Sequence, residues 1–212
     1  MDALNFSSRF RPFLKAAGVT AAFLGLGAML SGCIPVLLAG GAAAGAGAVA
    51  QERSVGDGVD DVTTDADIKL LFLEQTDHDY SDVDITVYEG RVLLTGTART
   101  DEARGQAAKV AWSASNVSEV LNELKVGDKT KFTSGSNDAW IEARLRSALL
   151  TDEDVTSINY EIAVSQGEVY LLGLAETGPE LDRVTNHART IRGVVKVVSH
   201  VQFPDDPSRK MR

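Results

Sequence analysis

A single cysteine, Cys33, stands in a chain of 212 residues. An internal disulfide is therefore excluded. Only three histidines accompany it, too little material for a zinc site. Neither a G-x-S-x-G turn nor an H-E-x-x-H pair occurs, so the signatures of esterase-type and zinc-peptidase chemistry are missing. "DHDYSDVD" (Asp77 to Asp84) is rich in oxygen ligands. A calcium loop starting at Asp77 would need glycine at 82 and glutamate at 88, and the chain has Asp82 and Tyr88. That stretch reads as a solvated acidic loop. Positive charge is also short: 21 Lys and Arg face 30 Asp and Glu, a net charge of −9. Nonspecific nucleic-acid binding needs the opposite balance. The expectation is a protein that is not an enzyme, with no catalytic residues, cofactor, metal or small-molecule substrate.

What the chain does have begins at its N-terminus. Arg9, Arg11 and Lys15 precede an apolar stretch, "AAGVTAAFLGLGAML" (Ala16 to Leu30). Its length of about 15 residues falls short of the ~20 that span a bilayer and suits the core of a signal peptide. The stretch runs into Leu30-Ser31-Gly32-Cys33, which resembles the lipobox of bacterial lipoproteins. The resemblance implies cleavage after Gly32 and acylation of Cys33, giving a 1–32 signal peptide. Two or more acyl chains anchor a protein stably, where one does so marginally. Ile34 rather than Asp follows the cysteine, which favours the outer membrane over retention in the inner one. Loss of Arg9, Arg11, Lys15 and Asp2 takes the mature charge from −9 to −11. Ile34 to Ala50 is then Gly/Ala-rich, and 33–63 is read as a flexible tether or a segment lying near the membrane.

The remainder repeats itself. From Val83 to Leu124 the chain matches its own later part at a shift of 77 residues. "VYEGRVLLTG" falls on "VSQGEVYLLG", placing Gly90 on Gly167 and Gly96 on Gly173. Asn116 falls on Gly193; these two residue types tolerate φ > 0 and suit a helix C-terminus before a strand. The opening helices match best at a shift of 73, which implies four extra residues in the second copy's following loop. Each copy reads as a helix (65–76, 138–150), a hairpin of two alternating strands turning at Glu-Gly or Gln-Gly, a second helix (100–114, 177–191) and a third strand (118–126, 194–203). The fold class is α+β: two αββαβ sandwich domains in tandem, 64–126 and 137–204, joined by a polar linker at 127–136 and followed by a flexible tail, 205–212. His78, His187 and His200 have no counterparts between the copies, which argues further against catalysis.

The αββαβ unit, with "GEVYLLG" in its hairpin and "GVVKVV" after its second helix, resembles the BON domain. Lipobox, small-residue tether and two such units with "NDAWIEARLRSALL" opening the second are similar to the dual BON-domain outer-membrane lipoproteins. That resemblance implies a lipid-anchored protein facing the periplasm. It further implies binding to phospholipid, concentration at division sites, support of envelope integrity and regulation of peptidoglycan amidases.

The helix opening the second copy carries the candidate site. Ile141, Leu145, Ala148 and Leu149 share one face at about 100° per residue and form the core stripe; Asp138 is a plausible N-cap. Trp140, Ala143, Ser147 and Leu150 make a second apolar strip, edged by Arg144 and Arg146, where an ordinary surface helix is polar. At the 73-residue shift the first copy has Asp67, Leu70, Glu74 and Asp77 there, an acidic face. Tryptophan beside arginine suits a membrane interface. The expectation is that Trp140, Ala143, Arg144, Arg146, Ser147 and Leu150 dock on an anionic phospholipid membrane. The other reading of Trp140 is packing against the first domain or its own loop. Trp112, on the second helix of the first copy, is expected at the domain interface. The alternative function is an adaptor for periplasmic envelope or division proteins, using the acidic face or the third-strand edges, with membrane contact through the acyl anchor alone.

Overall fold

The computed structural model describes residues 55–77, 79–127, 135–207 and 209, all within one compact unit. The expected signal segment, Cys33 and most of the expected tether lie outside these residues. The first repeat runs α1 (Val55–Glu74), β1 (Val83–Tyr88), β2 (Arg91–Ala98), α2 (Asp101–Ser113), β3 (Glu119–Asn122) and a short β4 (Lys125–Val126). The second runs α3 (Gly135–Leu150), a 3₁₀ turn (Ser157–Asn159), β5 (Tyr160–Ser165), β6 (Glu168–Leu174), α4 (Gly178–Thr190) and β7 (Lys196–Gln202). In both sheets the hairpin's second strand is central: β1 and β5 pair with it antiparallel, β3 and β7 parallel. The αββαβ order is as expected. Helix α1 begins at Val55, inside the stretch expected as tether.

Local chemistry accounts for the elements. Glu89-Gly90 and Gln166-Gly167 all have positive φ, the tight two-residue turn that matches strand twist. Asn116 and Gly193 also have positive φ and redirect the chain from helix to third strand. Thr100 and Thr177 cap α2 and α4, each hydroxyl accepting the backbone N–H three residues on.

Asp138 is not the expected N-cap, because α3 starts at Gly135 and encloses it; it and Asp61 of α1 instead hold the hairpin turns. Asp138 lies within the first turn of α3, and its carboxylate accepts the N–H groups of Gln166 and Gly167, both at 2.8 Å. Asp61 does the same to Glu89 and Gly90, also at 2.8 Å. The pairs lie 77 residues apart, the spacing of the hairpins themselves. This corrects the shift of 73 inferred for the helices. Ile68 and Phe72 occupy the places of Leu145 and Leu149, and the helix-to-strand connections, 75–82 and 151–159, differ by one residue rather than four. A four-residue error is about one helical turn. It preserves the apolar periodicity, so only the clamp distinguishes the two registers.

Each repeat has its own core between helices and sheet. One is built on Ile68, Phe72, Val92, Leu94 and Ala107, the other on Ile141, Leu145, Leu149, Leu171 and Val184. A third cluster, Tyr88, Leu93, Ala163, Tyr170, Leu172 and Leu174, joins the back faces of the two sheets. Central strands β2 and β6 are thus covered on both faces, which explains their near-continuous burial. Polar contacts ring this junction. Gln166 donates to Thr97 (3.1 Å), Arg91 to the His200 carbonyl (2.7 Å), and His200 meets Glu123 (2.9 Å). Lys125 pairs with Glu168 at 3.0 Å. The segment expected as a free tail is held at Arg209, which donates twice to Glu89.

Three outcomes follow from this packing. A Cβ at Gly173, where φ is +136°, would run into the Asn159 carbonyl oxygen; Gly173→Ala lowers stability in denaturant unfolding by about 3 kcal/mol. Asp61→Ala strands the buried Gly90 N–H and its neighbour and costs about 2–4 kcal/mol, Asp61→Asn less. Glu168 is pushed up by burial, but Lys125, Tyr170 and Lys196 outweigh this and hold its carboxyl below the ordinary 4.5. Its contribution is therefore full above that value and fades as pH falls through the lower, folded one. Acid titration of Glu168→Gln should lack that step.

Candidate functional site

Helix α3 is rotated by two anchors. The Asp138 clamp ties its first turn to the β5–β6 turn, and Ile141, Leu145 and Leu149 are at most 1% exposed. Burying each such side chain contributes about 1.5–3 kcal/mol, so the opposite face has no freedom to turn inward. That face carries Trp140, Ala143, Arg144, Arg146, Ser147 and Leu150, and all six are exposed. Trp140 is 47% accessible and Leu150 66%. The sequence expectation that these six share one outer face holds in the structure. Trp140 is not among the side chains that build the apolar junction between the two sheets.

Charge on the strip is uneven. Arg146 pairs with Glu142 at 3.1 Å, one turn away, with both side chains well exposed. Such a pair is worth at most about 1 kcal/mol and opens readily to a competing anion. Arg144 is exposed and enters no ion pair among the described residues. Beyond the helix, the 3₁₀ turn adds Ile158, 42% exposed, beside Leu150 along a groove of about 320 Å³ that also touches Arg146 and Tyr160. Ile158 was not legible as part of the strip, since it lies in a loop with no periodicity to mark it.

The corrected register changes the comparison between copies. Trp140 corresponds to Thr63, Ala143 to Ala66, Ser147 to Leu70 and Leu150 to Leu73, while Arg144 corresponds to Asp67 and Arg146 to Lys69. The first copy's outer face is therefore not acidic throughout. Its strip is apolar as well, and the charge reverses at Asp67/Arg144. Trp112 is 53% exposed on α2, outside the domain junction, contrary to expectation. The acidic loop is engaged internally: Asp79 accepts from Ser81 N–H and pairs with Arg99. No group of metal-ligating side chains is assembled among the described residues, and no described helix is long and apolar enough to cross a membrane.

Comparison with known proteins agrees with this architecture. The BON-domain model matches residues 60–128 and 137–205, one αββαβ unit each. The outer membrane lipoprotein DolP of Haemophilus influenzae is 30% identical over 87% of this chain and 95% of its own. The 21 kDa hemolysin of Actinobacillus pleuropneumoniae is 30% identical over 71% of this chain and 78% of its own. The osmotically-inducible protein Y of Escherichia coli is 25% identical over 68% and 73%. Two clamped helix–hairpin units, each matched from within its opening helix to past its last strand, place this chain in the BON-domain family as a tandem member.

Proposed function

We propose that this protein is an outer-membrane lipoprotein, anchored through acylated Cys33 and facing the periplasm, that docks on anionic phospholipid through the outer face of α3. The observation that carries the reading is Trp140, half exposed beside an Arg144 that has no ion pair among the described residues, on a helix whose other face is locked into the core. An indole at the interface keeps its N–H wet while its rings enter the apolar zone. Arg144, and Arg146 once released from Glu142, reach phosphate oxygens, each worth on the order of 1 kcal/mol at an anionic surface. Leu150 and Ile158 extend the apolar contact. The sum is weak for a mature chain whose net charge is −11, from −9 less the +2 of residues 1–32. A lipid tether makes the contact intramolecular, so weak binding suffices. Thirty per cent identity with an outer membrane lipoprotein over 87% of the chain and the lipobox-like Leu30-Ser31-Gly32-Cys33 support the anchor. Such docking would hold the second domain against the membrane, where the protein supports envelope integrity, with regulation of peptidoglycan amidases at the division site as the finer role. The role is one of binding, without catalysis.

Flotation of the non-acylated chain from residue 51 onward with phosphatidylglycerol vesicles tests the docking. Binding is expected to the anionic vesicles and not to phosphatidylcholine. Trp140→Glu or Arg144→Glu should each weaken it roughly tenfold, while Trp112→Glu leaves it intact. In a Trp112→Phe background the remaining Trp140 emission should shift to the blue on binding. Unchanged flotation of both α3 variants would remove this helix as the lipid site.

A further inference from the structure

Helix α1 carries a second unpartnered face of different character. Val59, Val62, Ala66, Leu70 and Leu73 are all exposed, Leu73 at 81%. At 100° per residue they fall within a stripe about 80° wide and about 21 Å long. A stripe spaced 3, 4, 4 and 3 is the pattern by which one helix seats another. One edge of the stripe carries Asp60, Asp67 and Glu74, seven residues apart and so about 10 Å from one to the next. None of the three is in an ion pair among the described residues. On the other edge Lys69 is taken by Asp65 at 2.6 Å. The equivalent positions of α3 are Asn137, Arg144 and Thr151, so the fold does not demand the acids.

We infer that the outer face of α1 is a docking surface for a basic amphipathic helix of a partner protein, with lysines or arginines at heptad spacing facing Asp60, Asp67 and Glu74. Charge complementarity selects this occupant. An anionic membrane would be repelled by the same three acids that such a helix would match. The chain's own segment Ile34 to Ala50 has no basic residue and leaves the acids unmatched. A second copy would present either another acidic edge or α3, whose Arg144 alone among its described arginines is without an ion pair, against three acids. Rim charges of this kind select a partner and its register on an apolar seam. This surface is separate from the strip on α3 and does not depend on lipid docking.

The full chain, held in phosphatidylcholine vesicles to silence anionic lipid contact, is titrated with labelled synthetic helices, with bare vesicles as the blank. One helix has a leucine stripe with lysines at heptad positions; the other has glutamates there. The lysine helix should bind and the glutamate helix should not. The exposed changes Leu70→Asp and Leu73→Asp should each weaken binding at least roughly tenfold, and Asp60→Lys with Asp67→Lys and Glu74→Lys should reverse the preference. Arg144→Glu should leave binding unchanged. Equal binding by Leu70→Asp would reduce the effect to attraction toward an acidic protein and overturn the inference. A dimer in sedimentation that Leu70→Asp abolishes, or binding that emerges only after residues 34–50 are deleted, would assign the stripe to a second copy or to the chain's own tether. Either result overturns it too.

Discussion

The grip of an aspartate carboxylate on a two-residue turn sets everything else about how each domain faces its surroundings. Two N–H groups of a turn with positive φ point the same way, and a carboxylate with two oxygens accepts both. The contact fixes the helix along its axis and around it at once. Apolar burial alone fixes only the rotation, because a slide of about one turn returns nearly the same face to the core. With the clamp in place, the residues that point outward on α1 and α3 are determined one by one.

The sheets are then used on both sides. Helices cover one face, and the other faces meet through Tyr88, Leu93, Tyr170 and Leu172. A small domain buries a modest share of its surface, and pairing back to back supplies each with a second core. Arg91 shows how the polar edge is managed: a guanidinium in a mostly buried side chain is satisfied by Glu119 at 2.6 Å and the His200 carbonyl at 2.7 Å. Burying that charge would otherwise be expensive. The helix layers, the opening helices among them, thereby face outward.

Those two helices have diverged on one scaffold. Both keep the clamp and the buried stripe, and both expose small or apolar side chains at the same places. They differ in aromatic content and in the sign of the charge at the Asp67/Arg144 position. Tryptophan with arginine suits an anionic interface; leucine and valine with a row of acids suit a basic protein surface. Duplication gave one fold two outward faces, which can differ because neither contributes to the core.

The amino-acid sequence determined the αββαβ order, the turns, the repeat and the outward strip of α3, because these rest on local φ preferences and on periodicity within single elements. Alternation in β2 and β6 pointed to the helix-facing core, and the apolar residues between, such as Tyr170 and Leu172, find their use only across the sheet. The helix register, the exposed place of Trp112, the addition of Ile158 and the restraint on Arg209 were decided by tertiary structure alone. Each depends on groups far apart in the chain meeting in space: a carboxylate with a turn 28 residues on, a loop beside a helix end, a C-terminal arginine on the first hairpin. Periodicity carries no information about such meetings, and a repeat aligned by hydrophobicity alone is uncertain by one helical turn.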